Sequence, residues 1–188
     1  METRDIVYIA LFAAIVAALA LFPPITVPLI SVPITAQSLG VMLAGGVLGA
    51  KRGSLALVLF LALVALGLPL LSGGRGGMGV FFGPTAGFLF GWVVAAFVIG
   101  WLTERFWDRL GLINAFLIAF TGGVVVLYAI GLLWVAESAK ITLLQAATGS
   151  LAYIPGDILK AAIAAFVMVT VKRSYPLIRP ANTASTAA

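Results

Sequence analysis

Apolar residues run along this chain in six long blocks, about 6–22, 34–50, 54–71, 84–103, 112–136 and 150–172, broken by turn residues or charges. Several of them reach the roughly 18 apolar residues that a membrane-crossing helix needs. Alternation of apolar and polar positions over about 10 residues, the mark of a membrane β-barrel, is absent. Inside a bilayer the backbone finds no water, so helices are the way its hydrogen bonds are made. The pattern therefore predicts an all-α, polytopic bundle of six transmembrane helices, a single membrane domain over residues 1–188 with 174–188 as a disordered tail. The first block runs into Phe22-Pro23-Pro24 in place of a small-residue cleavage site, so it reads as a retained helix and not as a signal peptide.

Composition agrees with lipid as the solvent, since 63% of the 188 residues are hydrophobic and only 9% are charged. Too few polar side chains remain to cover a water-facing surface. There is no His and no Cys. That removes imidazole acid–base catalysis, thiolate nucleophiles, disulfides and the commonest metal ligands, so no metal or cofactor is expected. Positive charge is sorted by topology. With a cytoplasmic N-terminus, Arg4, Lys51, Arg52, Arg105, Arg109, Lys172, Arg173 and Arg179 fall inside, Arg75 and Lys140 fall outside, and Lys160 stays in the membrane. This positive-inside bias accounts for the net charge of +5 without a nucleic-acid partner. Glu104 and Asp108 stand beside Arg105 and Arg109 and predict a solvated turn with local pairing.

Two outer connections are unusual. Residues 22–35 hold four prolines and are expected to run extended across the outer face. Residues 71–87 hold seven glycines and one proline, flank them with Phe81 and Phe82, and are expected to form an ordered binding loop or lid. Gly74-Arg75-Gly76-Gly77-Met78-Gly79 matches the dinucleotide-binding spacing but lacks the strand, helix and acid which that signal requires. No phosphate-binding loop of the G-x-x-x-x-G-K-[ST] type occurs either, so energy from ATP would have to come from another subunit.

Charge inside a span is costly and usually faces a ligand path or the bundle interior. Asp157 and Lys160 sit three residues apart in IPGDILKAAIAA (154–165), on one face of the sixth helix, behind a Pro155-Gly156 break that places the carboxylate near a helix N-terminus. Tyr153 offers either an aromatic wall with a hydroxyl or an interfacial anchor. Gln37, in VPITAQSLGVMLAG (32–45), suits a neutral ligand with N–H and C=O groups, or a neighbouring helix. Asp157, Lys160, Gln37 and the glycine loop all map to the outer half. Ala10, Ala14 and Ala18 make a small-residue stripe on the first helix, open to a partner helix or to internal packing, and Gly87 and Gly91 repeat the theme in the fourth.

Across residues 5–173 the chain resembles the BioY family, the biotin-binding S components of energy-coupling-factor (ECF) transporters. The resemblance rests on VPITAQSLGVMLAG, SGGRGGMGVFFGPTAG and IPGDILKAAIAA, in that order and spacing. It implies six helices in a bacterial or archaeal cell membrane, both termini cytoplasmic, and a biotin pocket near the outer face. It implies biotin contacts from Asp157 to the urea N–H groups, from Lys160 to the urea oxygen or the carboxylate, and from Gln37, Tyr153, Phe82 and the loop backbone of Gly73, Gly74, Arg75, Gly76 and Gly77. Some relatives carry an arginine where this chain has Leu89, which makes Arg75 the substitute. The Ala10, Ala14 and Ala18 stripe would dock on a transmembrane coupling (T) protein driven by two ABC-type ATPases. Working alone, as a homo-oligomer, or with that module are all compatible with the residues. The alternatives are an S component for thiamine or riboflavin and an intramembrane enzyme. Cationic thiamine is disfavoured beside Lys160 and Arg75, and an enzyme would lack His and hold a lone intramembrane acid, Asp157.

Overall fold

The computed structural model describes residues 1–26 and 33–178. The middle of the proline-rich connection, Arg179 and the end of the expected tail lie outside the described residues. Six helices follow one another: α1 (Thr3–Ala18), α2 (Gln37–Leu48), α3 (Ala50–Ala65), α4 (Ala86–Arg105), α5 (Leu112–Ala139) and α6 (Leu143–Ser174). Thr3–Leu21, α4, α5 and α6 are long and apolar enough to cross a bilayer. The chain is a multi-pass membrane protein.

The helices do not all keep their expected bounds. The connection expected around 51–53 does not exist, because α2 and α3 meet at one residue, Gly49, with φ +85° and ψ 179°. Lys51 and Arg52 therefore lie in the first turn of α3. At 12 residues α2 spans only about 18 Å. It can be short because it is central: it packs against α1, α3, α4 and α6, and all but Leu39 and Leu43 are buried. α5 contains a π-helical turn, Thr121–Val126, and α6 starts well before 150, as a helical segment Leu143–Ser150 and a 3-10 turn Leu151–Tyr153 that lead into Ile154–Ser174.

Small residues set how closely these helices approach. A Cβ on Gly45 of α2 would strike the carbonyl oxygen of Ala96 in α4, and one on Gly100 of α4 would strike the backbone of Gly49 and Ala50. Gly87 and Gly91 likewise face Trp134 and Leu127 of α5, so the fourth helix uses its small residues for packing within the chain. In lipid, where apolar side chains gain nothing by leaving the solvent, such contact is what holds helices together.

The helix ends that carry Arg52 and Glu104 are tied by polar groups. Glu104 Oε1 accepts the Ala50 N–H at 2.8 Å, where a carboxylate meets the positive end of α3. The local pairing expected of Glu104 and Asp108 is thus corrected: among the described residues neither forms an ion pair. Arg52 pairs with Asp5 of α1 at 3.2 Å, donates to Leu48 O at 3.0 Å, and donates to Leu177 O at 2.6 Å. Leu177 and Ile178 are buried, so residues 175–178 fold back against the bundle instead of beginning a tail at 174.

The Gly100 contact gives a sharp expectation. A Gly→Ala change inside a helix ordinarily gains up to about 1 kcal/mol. Gly100→Ala should instead lose about 1–3 kcal/mol through overpacking against backbone. Gly79→Ala, with nothing within 4 Å of the new methyl, should change stability by less than about 0.5 kcal/mol. Thermal unfolding in detergent compares the two.

Candidate ligand-binding site

Pro155 occupies the first turn of Ile154–Ser174, where its missing N–H has no intrahelical partner to lose. Two residues on, Asp157 sits in that same turn, near the positive end of the helix. It is only 6% exposed, so its charge must be answered by the protein. Lys160 Nζ lies 2.9 Å from Oδ1, and the Tyr128 hydroxyl of α5 donates to Oδ2 at 2.5 Å. Lys160 donates as well to Thr35 O at 2.7 Å and to Ser38 Oγ at 2.9 Å. One ion pair therefore joins α6 to α5, to the start of α2 and to Thr35 just before it.

Gln37 is the second polar centre. Its Nε2 donates to Val16 O and to Leu70 O, both at 3.0 Å. Its Oε1 accepts from Ser72 N at 2.9 Å and from Ser72 Oγ at 3.3 Å. Two donors and two acceptor positions are all an amide has, so this side chain is filled by the protein itself. It fastens the 66–85 connection to α1 and α2. That connection then turns tightly: Leu71 and Arg75 exchange backbone hydrogen bonds of 3.0 and 3.2 Å around Gly73 and Gly74, whose φ values of +79° and +68° favour glycine. Arg75 Nε donates to Ser72 O at 3.2 Å.

Between these centres lies a cavity of about 70 Å³, several times the volume one water requires. Its polar lining includes Gln37, Ser38, Arg75, Tyr128, Asp157 and Lys160, and its apolar wall is built largely by Phe88, Leu89 and Trp92 of α4. Tyr153 also lines it and is 4% exposed. The structure thus brings Gln37, Arg75, Tyr153, Asp157 and Lys160 together at one cavity.

Other expected positions lie elsewhere. Gly73, Gly74, Gly76 and Gly77 are outside the lining and shape the turn that presents Arg75. Phe82 is 77% exposed and lies outside the cavity lining, while Phe81 packs on Phe90. Tyr128 and the α4 wall are additions that sequence reasoning missed. A phenolic hydroxyl in a largely apolar span could have flagged Tyr128. Phe88, Leu89 and Trp92 lie along one side of a helix, but nothing in an all-apolar segment marks that side as facing a cavity. On α1, Ile9, Phe12, Ala13 and Val16 are buried, whereas Ala10, Ala14 and Ala18 are exposed.

Arg75 is the group at the site that stands outside the spans and whose proton affinity is perturbed. Burial pulls its pKa below the ordinary guanidinium value, although an arginine so placed keeps its charge.

A family model described as the BioY family matches residues 1–177. A protein named "Biotin transporter BioY" from Rhizobium etli is 54% identical over 183 residues, covering 95% of this chain and 98% of that one. One of the same name from Rhodobacter capsulatus is 47% identical, covering 92% and 95%. A crystal structure described as the S-component for biotin from an ECF-type ABC transporter superposes with a TM-score of 0.89 at 31% identity, covering 94% of this chain and 97% of that one.

If Gln37 fastens the loop, Gln37→Leu leaves the Ser72 N–H and two carbonyls without partners in a buried place. Stability should fall by about 2–4 kcal/mol, since each such group costs about 1–3 kcal/mol. Amide exchange should quicken at Ser72 and Arg75 while α4 stays protected, which hydrogen-exchange mass spectrometry resolves.

Proposed function

The chain belongs to the BioY family, and on that premise we propose that it is a biotin transporter subunit, the membrane component that captures biotin on the outer side and mediates its uptake. The observation that carries this role is the buried Asp157 carboxylate, gripped on both oxygens by Tyr128 and Lys160 inside a cavity with aromatic and aliphatic walls. The ureido ring of biotin is neutral and offers two N–H groups and one carbonyl. A fixed carboxylate is the natural acceptor for those N–H groups, and charge-assisted bonds of this kind are about twice as strong as neutral ones. Phe88, Leu89 and Trp92 supply the apolar surface that the thioether ring and aliphatic tail require. Tyr153 adds an aromatic side chain at the same cavity. Gln37 serves the site by fixing its wall.

The role is transport and involves no catalytic step. As a single membrane domain without a phosphate-binding loop, the subunit would draw energy from a coupling T protein and two ABC-type ATPases. The exposed stripe of Ala10, Ala14 and Ala18 is the surface proposed for that contact, because small residues let a foreign helix approach closely. The inward bias of Lys and Arg supports a cell membrane location with cytoplasmic N- and C-termini.

Purified protein in detergent should bind biotin in an equilibrium titration, and Asp157→Asn should weaken binding at least about tenfold, the loss expected of a charged hydrogen-bond acceptor. Absence of binding by the intact protein at micromolar biotin would refute the role. Ala14→Phe should leave binding intact and abolish uptake by cells that carry the coupling module.

A further inference from the structure

Two cations line the cavity, Lys160 and Arg75, and they are not equivalent. An ammonium has three donors. Lys160 directs one each to Thr35 O, Ser38 Oγ and Asp157 Oδ1, at 2.7, 2.9 and 2.9 Å. To hold a ligand anion it would have to abandon a buried carboxylate or a part-buried backbone carbonyl, and either loss opposes the gain.

Arg75 has donors to give. A guanidinium carries five N–H groups, and among the described residues Arg75 makes a single side-chain hydrogen bond, from Nε to Ser72 O at 3.2 Å. All six Asp and Glu residues fall within the described residues, and none pairs with it. It is half-buried, with its pKa drawn down by lost hydration, so it has been partly desolvated without receiving a counter-charge. Its backbone is held by the Leu71 exchange, and Gln37 holds the neighbouring Ser72. A half-buried cation with two free terminal nitrogens on an anchored turn is prepared for a planar anion. Leu89, also at the cavity, supplies no charge that could compete for one.

Taking the biotin reading above as its basis, we infer that Arg75 is the specificity-determining residue for the acid end of the ligand, receiving the carboxylate on its terminal nitrogens, while Lys160 acts through Asp157 on the ureido end.

The test compares biotin with biotin amide, whose tail is neutral, by equilibrium titration of the full chain in detergent. The intact protein should prefer biotin by about tenfold or more, the usual range for a charge-assisted pair. Arg75→Gln should erase that preference by weakening biotin about tenfold more than the amide, and Arg75→Lys should restore part of it. Lys160→Gln should weaken both ligands by the same factor and keep their ratio. A wild-type ratio in Arg75→Gln, equal affinities in the intact protein, or a ratio lost in Lys160→Gln alone would each overturn the assignment and leave the biotin reading standing. Failure of the intact protein to bind either compound would overturn that reading itself.

Discussion

A polar group placed at membrane depth must find its partner within the protein, because the lipid around the helices offers none. This demand organises the bundle. No buried side-chain nitrogen or oxygen among the described residues is left without a hydrogen bond. The groups that meet the demand do so across large sequence separations: Gln37 reaches Val16, Leu70 and Ser72, and Lys160 reaches Thr35 and Ser38. Each of these links fixes one element against another, so satisfying polar groups and positioning helices are the same physical event here. Replacing such a group by an apolar one is different from removing its partner, since the second leaves a charge or dipole stranded.

Close helix approach is the second condition, and it depends on α2. Buried almost all round, this helix touches most of the bundle and can sit there because glycine faces the α4 backbone. The single-residue turn at Gly49 and the Glu104 bond to Ala50 then fix the entry of α3. At its N-terminal end, Gln37 begins the same helix and Ser38 faces Lys160. α2 therefore runs from the polar network of the cavity to the Arg52 cluster at its opposite end, where Leu48 O is one of the accepting groups.

At the cavity, charge is handled in two contrasting ways. Asp157 and Lys160 neutralise each other and are further held by Tyr128, Thr35 and Ser38, an arrangement with little freedom to rearrange. Arg75 is left with a hydrogen bond to a carbonyl and no carboxylate. A site that is rigid at one end and electrostatically incomplete at the other favours a ligand with a neutral donor head and an anionic tail, which is the chemistry of biotin. Preorganisation of this sort lowers the ordering cost of binding.

The sequence by itself determined that this is a six-helix membrane protein, because blocks of apolar residues can satisfy their backbone in lipid only as helices. It also singled out the residues that meet at the cavity from α2, the glycine loop and α6, because a charge or amide inside an apolar span is too costly to be incidental. The tertiary structure alone decided what those residues touch. Gln37 could serve a ligand or a helix on sequence grounds, and only the fold shows its amide filled by Val16, Leu70 and Ser72. Phe88, Leu89 and Trp92 were invisible as cavity residues, since an apolar helix in lipid carries no amphipathic stripe to mark its inner face. The contacts of Glu104 and of Leu177 escaped the sequence for the same reason: their partners, Ala50 and Arg52, lie 54 and 125 residues away, and local spacing carries no trace of a contact made across the bundle.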